Sequence, residues 1–559
     1  MVKYKPLVSM QTSGTIDLKA QEEWGFNTHA LIEAAAQSCS KAFLKAIPDF
    51  FEHKSNKAPK ILVLAGHGNN AADALSLLRH WLLQGLAQPE YSSVIISRLP
   101  DIESKDNNPP APIYCLYKSL KKMQVPFFEW NQAAQKPLIS DCDTVYDLII
   151  DGIAGTGVRT ALTGNLLEMT KKLNDVSNTS FSKKPLIVSI DIPSGLCDSW
   201  VFGDPIVHAD LTLAIEPLKH CLYKPKSRSS SGNILFVKNL FPQDLVDSLT
   251  EDSKKTMLIS WDNAQKEIPG FMPDIHKYNR GTVEIHAGCK GSAGAAIIAA
   301  RASQAAGAGL VRLIVDNEIY SIAASGLASI AAGIMVSTNN TEDNITENND
   351  DKKRFSPDSL VLGPGWGRLP SRTAILQKAL GLEKDGIPLL LDADGIYLAK
   401  DIVFSGNTLL TPHIGEFACF TGLSQKQIEN DPVPIMLEFS AKKNAFILLK
   451  SHVMYISSPD GKWSIIDGMV PVLASGGSGD LLAGFCASFM ARMALNNRVP
   501  DIFTCAAAAA ALLIQAGKDL ESKGRITDPL DIADQAANLA GLVLLQNQLC
   551  YKTSFVKEQ

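Results

Sequence analysis

The sequence predicts an α/β protein of two domains in tandem, each a parallel sheet covered by helices on both faces. Three observations carry this. The chain has 559 residues, more than one hydrophobic core usually serves. In both halves short apolar runs alternate with stretches of helical periodicity. The apolar runs end in turns rich in Asp, Gly or Pro, and in such sheets ligands sit beyond the carboxyl ends of the strands.

In the first half the strand runs are 61–65, 148–150 and 186–190, with a helical stretch at 72–83. The turns after them, at 66–73, 151–157 and 191–195, are expected to meet at one site. In the second half, strand 283–287 precedes a helix of small residues at 294–306, and strand 310–315 follows. Further strands at 360–362, 388–391, 408–410 and 445–449 run into Gly363-Pro364-Gly365, Asp392-Ala393-Asp394-Gly395, Thr411-Pro412-His413 and Lys450. The final helices begin near Asp480. Residues 240–275 have mixed charge, prolines and no clear periodicity, and the boundary is set there, giving domains 1–245 and 246–559. Residues 337–353, rich in Asn, Glu, Asp and Thr, read as a flexible surface insertion.

Composition narrows the function. Hydrophobic residues make up 46% and charged residues 20%, as in soluble globular proteins. A net charge of −5 without a Lys/Arg-rich block excludes a general nucleic-acid binder. Residues 1–10 lack the apolar core of a signal peptide. The most apolar helical stretch, 505–516, is shorter than the roughly 20 residues a bilayer requires. A cytoplasmic protein with no membrane partner is expected. The ten cysteines form no Cys-x-x-Cys pair and read as buried reduced thiols. No His/Cys cluster of transition-metal type is present.

The chemistry of the second half centres on Gly476-Gly477-Ser478-Gly479-Asp480. Unpaired N–H groups at a helix N-terminus bind anions, and small residues let phosphate oxygens approach. A carboxylate on that turn can take the proton of a substrate hydroxyl during phosphoryl transfer. Taken alone, the turn reads equally well as a Gly-rich bend with an Asp cap. Four strand-end companions change that balance: Gly363-Pro364-Gly365-Trp366-Gly367, Asp392-Ala393-Asp394-Gly395, Thr411-Pro412-His413-Ile414-Gly415-Glu416-Phe417, and Leu449-Lys450.

With His276-Lys277 and the Gly291–Ala296 segment, these motifs make residues 276–493 resemble the ADP- or ATP-dependent NAD(P)H-hydrate dehydratases, which have a ribokinase-like α/β domain. The resemblance implies that a nucleotide, ADP by likeness to the bacterial fusions or else ATP, phosphorylates the hydroxyl of hydrated NADH or NADPH, after which phosphate leaves. It implies Asp480 as base and hydrate contact. Gly479, Lys450, Ser451, His452, Val453 and Met454 would hold the nucleotide, and Ala295, Gly365 and His413 the hydrate. Asp392 and Asp394 would support Mg²⁺ or the strand-end geometry. For His413 the competing reading is an interior histidine with a backbone partner. The chain departs from the family at Ser451 and His452, where Gly and Ala are usual, and at Ser478, usually Thr.

In the first half, Gly66-His67-Gly68-Asn69-Asn70-Ala71-Ala72-Asp73 lies between a strand and a helix. Asn, Asp and Ser oxygens from its three strand ends suit a hard monovalent cation. With Asp151-Gly152-Ile153-Ala154-Gly155-Thr156-Gly157, Asp191-Ile192-Pro193-Ser194-Gly195 and the helical Leu31–Ala36 segment, residues 5–240 resemble the NAD(P)H-hydrate epimerases, with a Rossmann-like three-layer sandwich. The whole chain is similar to the bacterial bifunctional NAD(P)H-hydrate repair enzymes. That likeness implies a homo-oligomer that interconverts the R and S hydrates and dehydrates the S form. It implies K⁺ at Asn70, Asp151 and Ser194. Hydrate contacts would come from Asn69, Asn70, Ala71, Ala72, Asp73, Gly155, Thr156, Gly157, Val158, Arg159, Thr160, Ala161 and Asp191. Asp73 and Asp191 are the acid/base candidates, their roles unassigned. Ala71, Ala72 and Ala74 replace three family glycines, and Ala154 a usual Phe. If those three positions need φ > 0, each alanine costs about 1 kcal/mol or more. Two alternatives stay open: a small-molecule kinase whose phosphorylated product is released intact, and an N-terminal half that only binds or assembles.

Overall fold

The computed structural model describes residues 5–52, 58–100, 111–130, 146–178, 184–238, 240–250, 256–271, 275–328, 333–338, 356–495, 500–525 and 528–557. The chain divides into two compact units, Pro6–Lys254 and Lys255–Gln559 with Met1–Lys5.

The N-terminal unit is built on a seven-stranded sheet in the order Phe127–Glu129, Ser92–Ile96, Ile61–Ala65, Leu148–Gly152, Leu186–Ile190, Leu211–Ile215, Asn233–Val237. All neighbours are parallel. Side chains alternate between faces with the period of two that a strand imposes. Ile61, Val63, Ala65, Leu148 and Ile150 join one core with helices Thr28–Ala46 and Asn69–Leu83. Leu62, Leu64 and Ile149 join another with Met169 and Leu173 of helix Gly164–Asn178. Helices therefore cover both faces, as expected. Strand order reverses between Ile61–Ala65 and Leu148–Gly152, so the loops leaving them part in opposite directions and open a crevice.

In the C-terminal unit the strand order is Ile334–Thr338, Leu310–Val315, Thr282–His286, Ser359–Leu362, Leu389–Leu391, Thr408–Leu410, Phe446–Leu449, Val453–Ser457, Trp463–Asp467, Thr256–Leu258. Val283, Ile285, Val361, Leu390 and Leu409 pack into one large core with residues of helices Ala293–Ala305, Ser478–Ala494 and Ile502–Ser522. The alternating residues Leu360, Leu362, Leu389, Leu391 and Leu410 are equally buried. Here the order reverses between Thr282–His286 and Ser359–Leu362, which brings the Gly291–Ala296 segment and the Gly363–Gly367 turn together.

Several expectations are corrected. The sheet is mixed: Val453–Ser457 runs antiparallel to both neighbours, because Ser451 and His452 turn the chain straight back after Lys450. The helix expected at 505–516 runs Ile502–Ser522, since Gly517–Ser522 continue it. At 21 residues and mean hydropathy 1.2 it is long and apolar enough to cross a membrane, yet 78% of that window is packed inside the protein. The boundary stretch contains helix Gln243–Thr250 and strand Thr256–Leu258. Ser337 and Thr338 belong to a strand, and the rest of the expected insertion, 339–353, lies outside the described residues. Among the cysteines Cys419 is exposed, and Cys115 and Cys289 are only partly buried.

Candidate active sites

The C-terminal site is assembled at strand ends. Helix Ser478–Ala494 starts after Gly477, whose φ of 97° is open to glycine and whose absent Cβ would meet Ile298 and Pro529 at 2.8 Å. Gly477 is the N-cap and makes no side-chain cap bond, so the first-turn N–H groups have no side-chain acceptor. Asp480 is the third helical residue rather than the cap. Burial, followed by the Asp392 charge, pushes its carboxyl up to about 7; Lys450 opposes this and Glu416 adds to it. Lys450 donates from Nζ to Asp392 Oδ1 at 2.5 Å, and its Nζ lies 3.3 Å from where a Cβ on Gly479 would stand. Burial alone would lower the Lys450 ammonium, but Asp392, Glu416 and Asp480 outweigh it and hold it above its ordinary value.

Asp392 also accepts from Thr411 Oγ1 at 2.9 Å. Asp394 accepts from the Gly367 amide at 2.8 Å and Arg368 Nε at 2.9 Å. Both carboxylates are committed to protein partners, which favours the strand-end role over a Mg²⁺ role. Among the described residues no group of three or more His, Cys, Asp or Glu side chains is arranged for a metal.

Gly365, at φ 54°, stands where a Cβ would come within 2.9 Å of both Ala295 Cβ and Ser292 Cβ, so these residues form one wall. The Gly288 amide donates to Pro364 O at 2.9 Å and ties the two loops. His413 is not interior: its side chain is 58% exposed. Its Nδ1 accepts from the Gly415 and Glu416 amides and caps helix Ile414–Thr421, because a histidine followed three residues later by Glu forms a reciprocal capping pair. The Lys450 amide bonds to Pro412 O at 2.8 Å, which sets His413 beside Lys450. Ser451 and His452 form the turn, His452 exposed; Val453 and Met454 are both buried, only Met454 joining the large core, and their strand pairs with Trp463–Asp467.

The N-terminal site is a cavity of about 920 Å³ at the crevice of its sheet. The predicted residues on its walls are Asn69, Asn70, Ala71, Asp73, Gly155, Thr156, Gly157, Val158, Arg159 and Asp191. Ala72 is instead buried in the core, and Thr160 and Ala161 are exposed beyond the cavity wall. Asp151 and Ser194 lie behind the wall. Ser194 Oγ bonds to Asp151 Oδ1 at 2.5 Å and to Ala154 O at 2.9 Å, and Asn70 Nδ2 reaches the same carbonyl at 3.0 Å. Asn70 Oδ1 is buried without a hydrogen-bond partner among the described residues. The orphaned oxygen suits a monovalent cation, whereas Asp151 already accepts from Ile153 N and Ser194 Oγ on one oxygen and from Ser189 Oγ and Ser194 N on the other.

The expected strain at positions 71, 72 and 74 is absent. All three alanines lie in helix Asn69–Leu83, and none has positive φ. The helix starts one turn earlier than periodicity indicated, so ordinary helical angles replace the glycine-only ones. Accommodation occurs at Gly152 instead, where a Cβ would meet Ala74 Cβ at 2.6 Å.

Asp73 is raised well above the usual carboxylate range, first by burial and then by Asp191 and Asp17, with Lys219 opposing. Asp191 is paired with Lys219 at 2.5 Å. Sequence reasoning missed Asp17, Lys219 and Glu416 as neighbours of these carboxyls. Glu416 stood inside a recognised motif. Asp17 and Lys219 stand in none, and only the fold brings them to the cavity.

Fold and sites together define a two-domain α/β enzyme, one domain with a glycine-rich anion turn and a perturbed carboxyl, the other with a carboxyl-lined cavity. The family model described as NAD(P)H-hydrate dehydratase matches residues 283–538, and that described as YjeF-related protein N-terminus matches residues 28–221. The chain belongs to the family of bifunctional NAD(P)H-hydrate repair enzymes. Relatives named bifunctional NAD(P)H-hydrate repair enzyme Nnr include those of Synechocystis sp., 27% identical and covering 84% of each chain, and Escherichia coli K12, 28% identical over 82% of this chain and 79% of that one. Similar solved structures include a ribokinase-like superfamily protein from Enterococcus faecalis, 24% identical with a TM-score of 0.44, covering 52% of this chain and 97% of that one. Another is the ADP/ATP-dependent NAD(P)H-hydrate dehydratase from Bacillus subtilis, co-crystallised with ATP/Mg²⁺, 19% identical with a TM-score of 0.44, covering 51% of this chain and 97% of that one.

Proposed function

We propose that the chain repairs hydrated NADH and NADPH. Its domain 246–559 dehydrates the S hydrate at the expense of ADP or ATP, and its domain 1–245 interconverts the R and S hydrates. The compact units that part between Lys254 and Lys255 support this division.

The observation that carries the dehydratase reading is Asp480, a carboxyl with a pKa of about 7 on the first turn of an uncapped helix, with Lys450 against the same turn. Asp480 takes the proton of the substrate hydroxyl as that oxygen attacks the terminal phosphoryl group of the nucleotide. The nucleotide leaves one phosphate shorter. The C6–O bond then breaks with departure of phosphate, the ring-nitrogen lone pair assists, and loss of a C5 proton restores the C5=C6 double bond. Hydroxide is a poor leaving group near neutral pH and a phosphate ester is a far better one, which is the reason to spend a nucleotide. Gly479 and Lys450 border the phosphate position, with Ser451 and His452 continuing the nucleotide wall and Val453 and Met454 supporting it from the strand behind. Ala295, Gly365 and His413 border the hydrate. Bound Mg²⁺ would neutralise phosphate charge; with Asp392 and Asp394 committed elsewhere, it would enter on the nucleotide.

In the other domain K⁺ is assigned to Asn70, Asp151 and Ser194, supported by the orphaned Asn70 Oδ1. Asp73, held toward its neutral form, is assigned as acid, and Asp191, ion-paired to Lys219, as base. Pure R and S hydrates incubated separately with ADP and with ATP test the whole reading. NADH and phosphate in equal amounts from the S hydrate are expected, and from the R hydrate at a rate set by epimerisation. Accumulation of a stable phosphorylated alcohol would replace this reading with a kinase.

A further inference from the structure

We propose that Lys219 is a positioning residue for the N-terminal reaction, pinning the Asp191 carboxylate at the cavity wall where Asp73 and Asp17 also converge. The inference rests on the epimerase reading of that domain. Lys219 follows Glu216-Pro217 in no recognisable motif and is 1% exposed. Its Nζ donates to Asp191 Oδ1 at 2.5 Å and to Ile215 O at 2.8 Å. The Ile215 amide donates to the same Asp191 oxygen at 3.1 Å. Asp191 itself stands at φ 66°, a left-handed conformation that a non-glycine residue adopts only when held there. Oδ1 is thus fixed by two donors, while Oδ2 accepts no protein hydrogen bond among the described residues. One carboxylate oxygen is anchored and the other is left to a substrate.

Burying a lysine is costly unless it is paired, and a packing role alone is served better by an apolar side chain. The cavity gives the cost a purpose. Asp17, from helix Met10–Trp24, lines it together with Asp73, Asp191 and Lys219. Burial and the Asp191 charge raise the Asp17 carboxyl, and Lys219 opposes both. Three carboxyls surround one ammonium, and the ammonium bonds to only one of them. Without it, Asp191 would turn away from its partners or share a proton with its neighbours.

The groups facing Asp73 are Asp191, Asp17, Glu33 and Lys219, with the Cys39 thiol also near. Glu33 is itself paired with Arg79 and His80. Lys219 is the cation that draws the Asp73 carboxyl down. Loss of its charge lets Asp73 rise further. An acid is active while protonated, so the alkaline limb of the epimerisation profile then moves to higher pH.

The test uses the full chain with Lys219→Met and Lys219→Arg, following exchange of R and S hydrate above the spontaneous background. Lys219→Met is expected to lose about 100-fold in kcat with KM little changed, the scale of a displaced catalytic group. Lys219→Arg should recover at least about tenfold of that loss. The alkaline limb should move to higher pH in Lys219→Met alone. Should Lys219→Met not fold, Lys219→Gln replaces it in the same comparison. Wild-type exchange no faster than background overturns the epimerase reading and the inference with it. Active wild type with Lys219→Met at the wild-type kcat overturns the inference alone. So does an equal loss in both variants with an unmoved alkaline limb.

Discussion

Lys450 Nζ lies 2.5 Å from Asp392 Oδ1, a buried pair that joins the ends of the two strands flanking Thr408–Leu410. Asp392 is 3% exposed in its side chain and Lys450 15%. The pair links the fold to the chemistry, because the same ammonium borders Gly479 and moderates Asp480.

Lys450→Met leaves Asp392 buried without its cation. Breaking a buried pair in this way costs about 3–5 kcal/mol. Chemical denaturation of the purified chain should report a loss of that order, and titration calorimetry should report weakened nucleotide binding.

The Asp480 carboxyl at about 7 gives the dehydratase a pH signature. A general base works while deprotonated, so kcat/KM should fall about tenfold per unit as pH drops below about 7. Asp480→Asn should remove a factor of about 10²–10⁴ from kcat and leave nucleotide affinity near wild type. A flat profile from pH 5 to 8, or near-normal turnover in the variant, excludes Asp480 as the base.

Gly365→Ala brings a methyl to 2.9 Å from Ala295 and Ser292 at a φ of 54°. Overpacking of this kind costs about 1–3 kcal/mol. The expected readout is a KM for S hydrate raised about tenfold or more, with the nucleotide KM unchanged. An equal rise in both would place Gly365 outside the hydrate wall.

The cation site is testable by removal. Exchange of K⁺ for tetramethylammonium should slow epimerisation, and adding K⁺ back should restore it. Asn70→Ala should lower the apparent K⁺ affinity, raising the K⁺ concentration required by at least about tenfold. Epimerisation equally fast in both salts removes K⁺ from the mechanism.

Restoring glycine at positions 71, 72 and 74 should lower stability by about 0.5–1 kcal/mol per site, because these are ordinary helical positions here. A rise in melting temperature would show that the alanines are strained after all.

The turns at strand ends were legible in the sequence because each joins an apolar run to a group of small or acidic residues in a fixed order. What joins those turns was not. Asp191 meets Lys219 through the close of one strand and the return of another, and Asp17 arrives on a helix that carries no motif. The reversal at Val453–Ser457 was hidden because an antiparallel strand buried on both faces reads like a parallel one. His413 looked ambiguous for a related reason: residue type alone does not separate a buried histidine from a helix cap, whereas Glu416 three positions on was the available clue. Whether positions 71, 72 and 74 need a positive φ is not written in residue type; here all three fall within a regular helix and the condition for strain is not met.

Gly152 and Ala74 divide a single methyl group between two neighbouring elements. The helix methyl fills the space, and a methyl at 152 would also press on Asn70 O at 3.2 Å and Leu64 O at 3.4 Å. Glycine at 152 therefore serves whether position 74 carries alanine, as here, or glycine, as in the family motif. An alanine where the family motif has glycine then fills a small space that the neighbouring strand end leaves open.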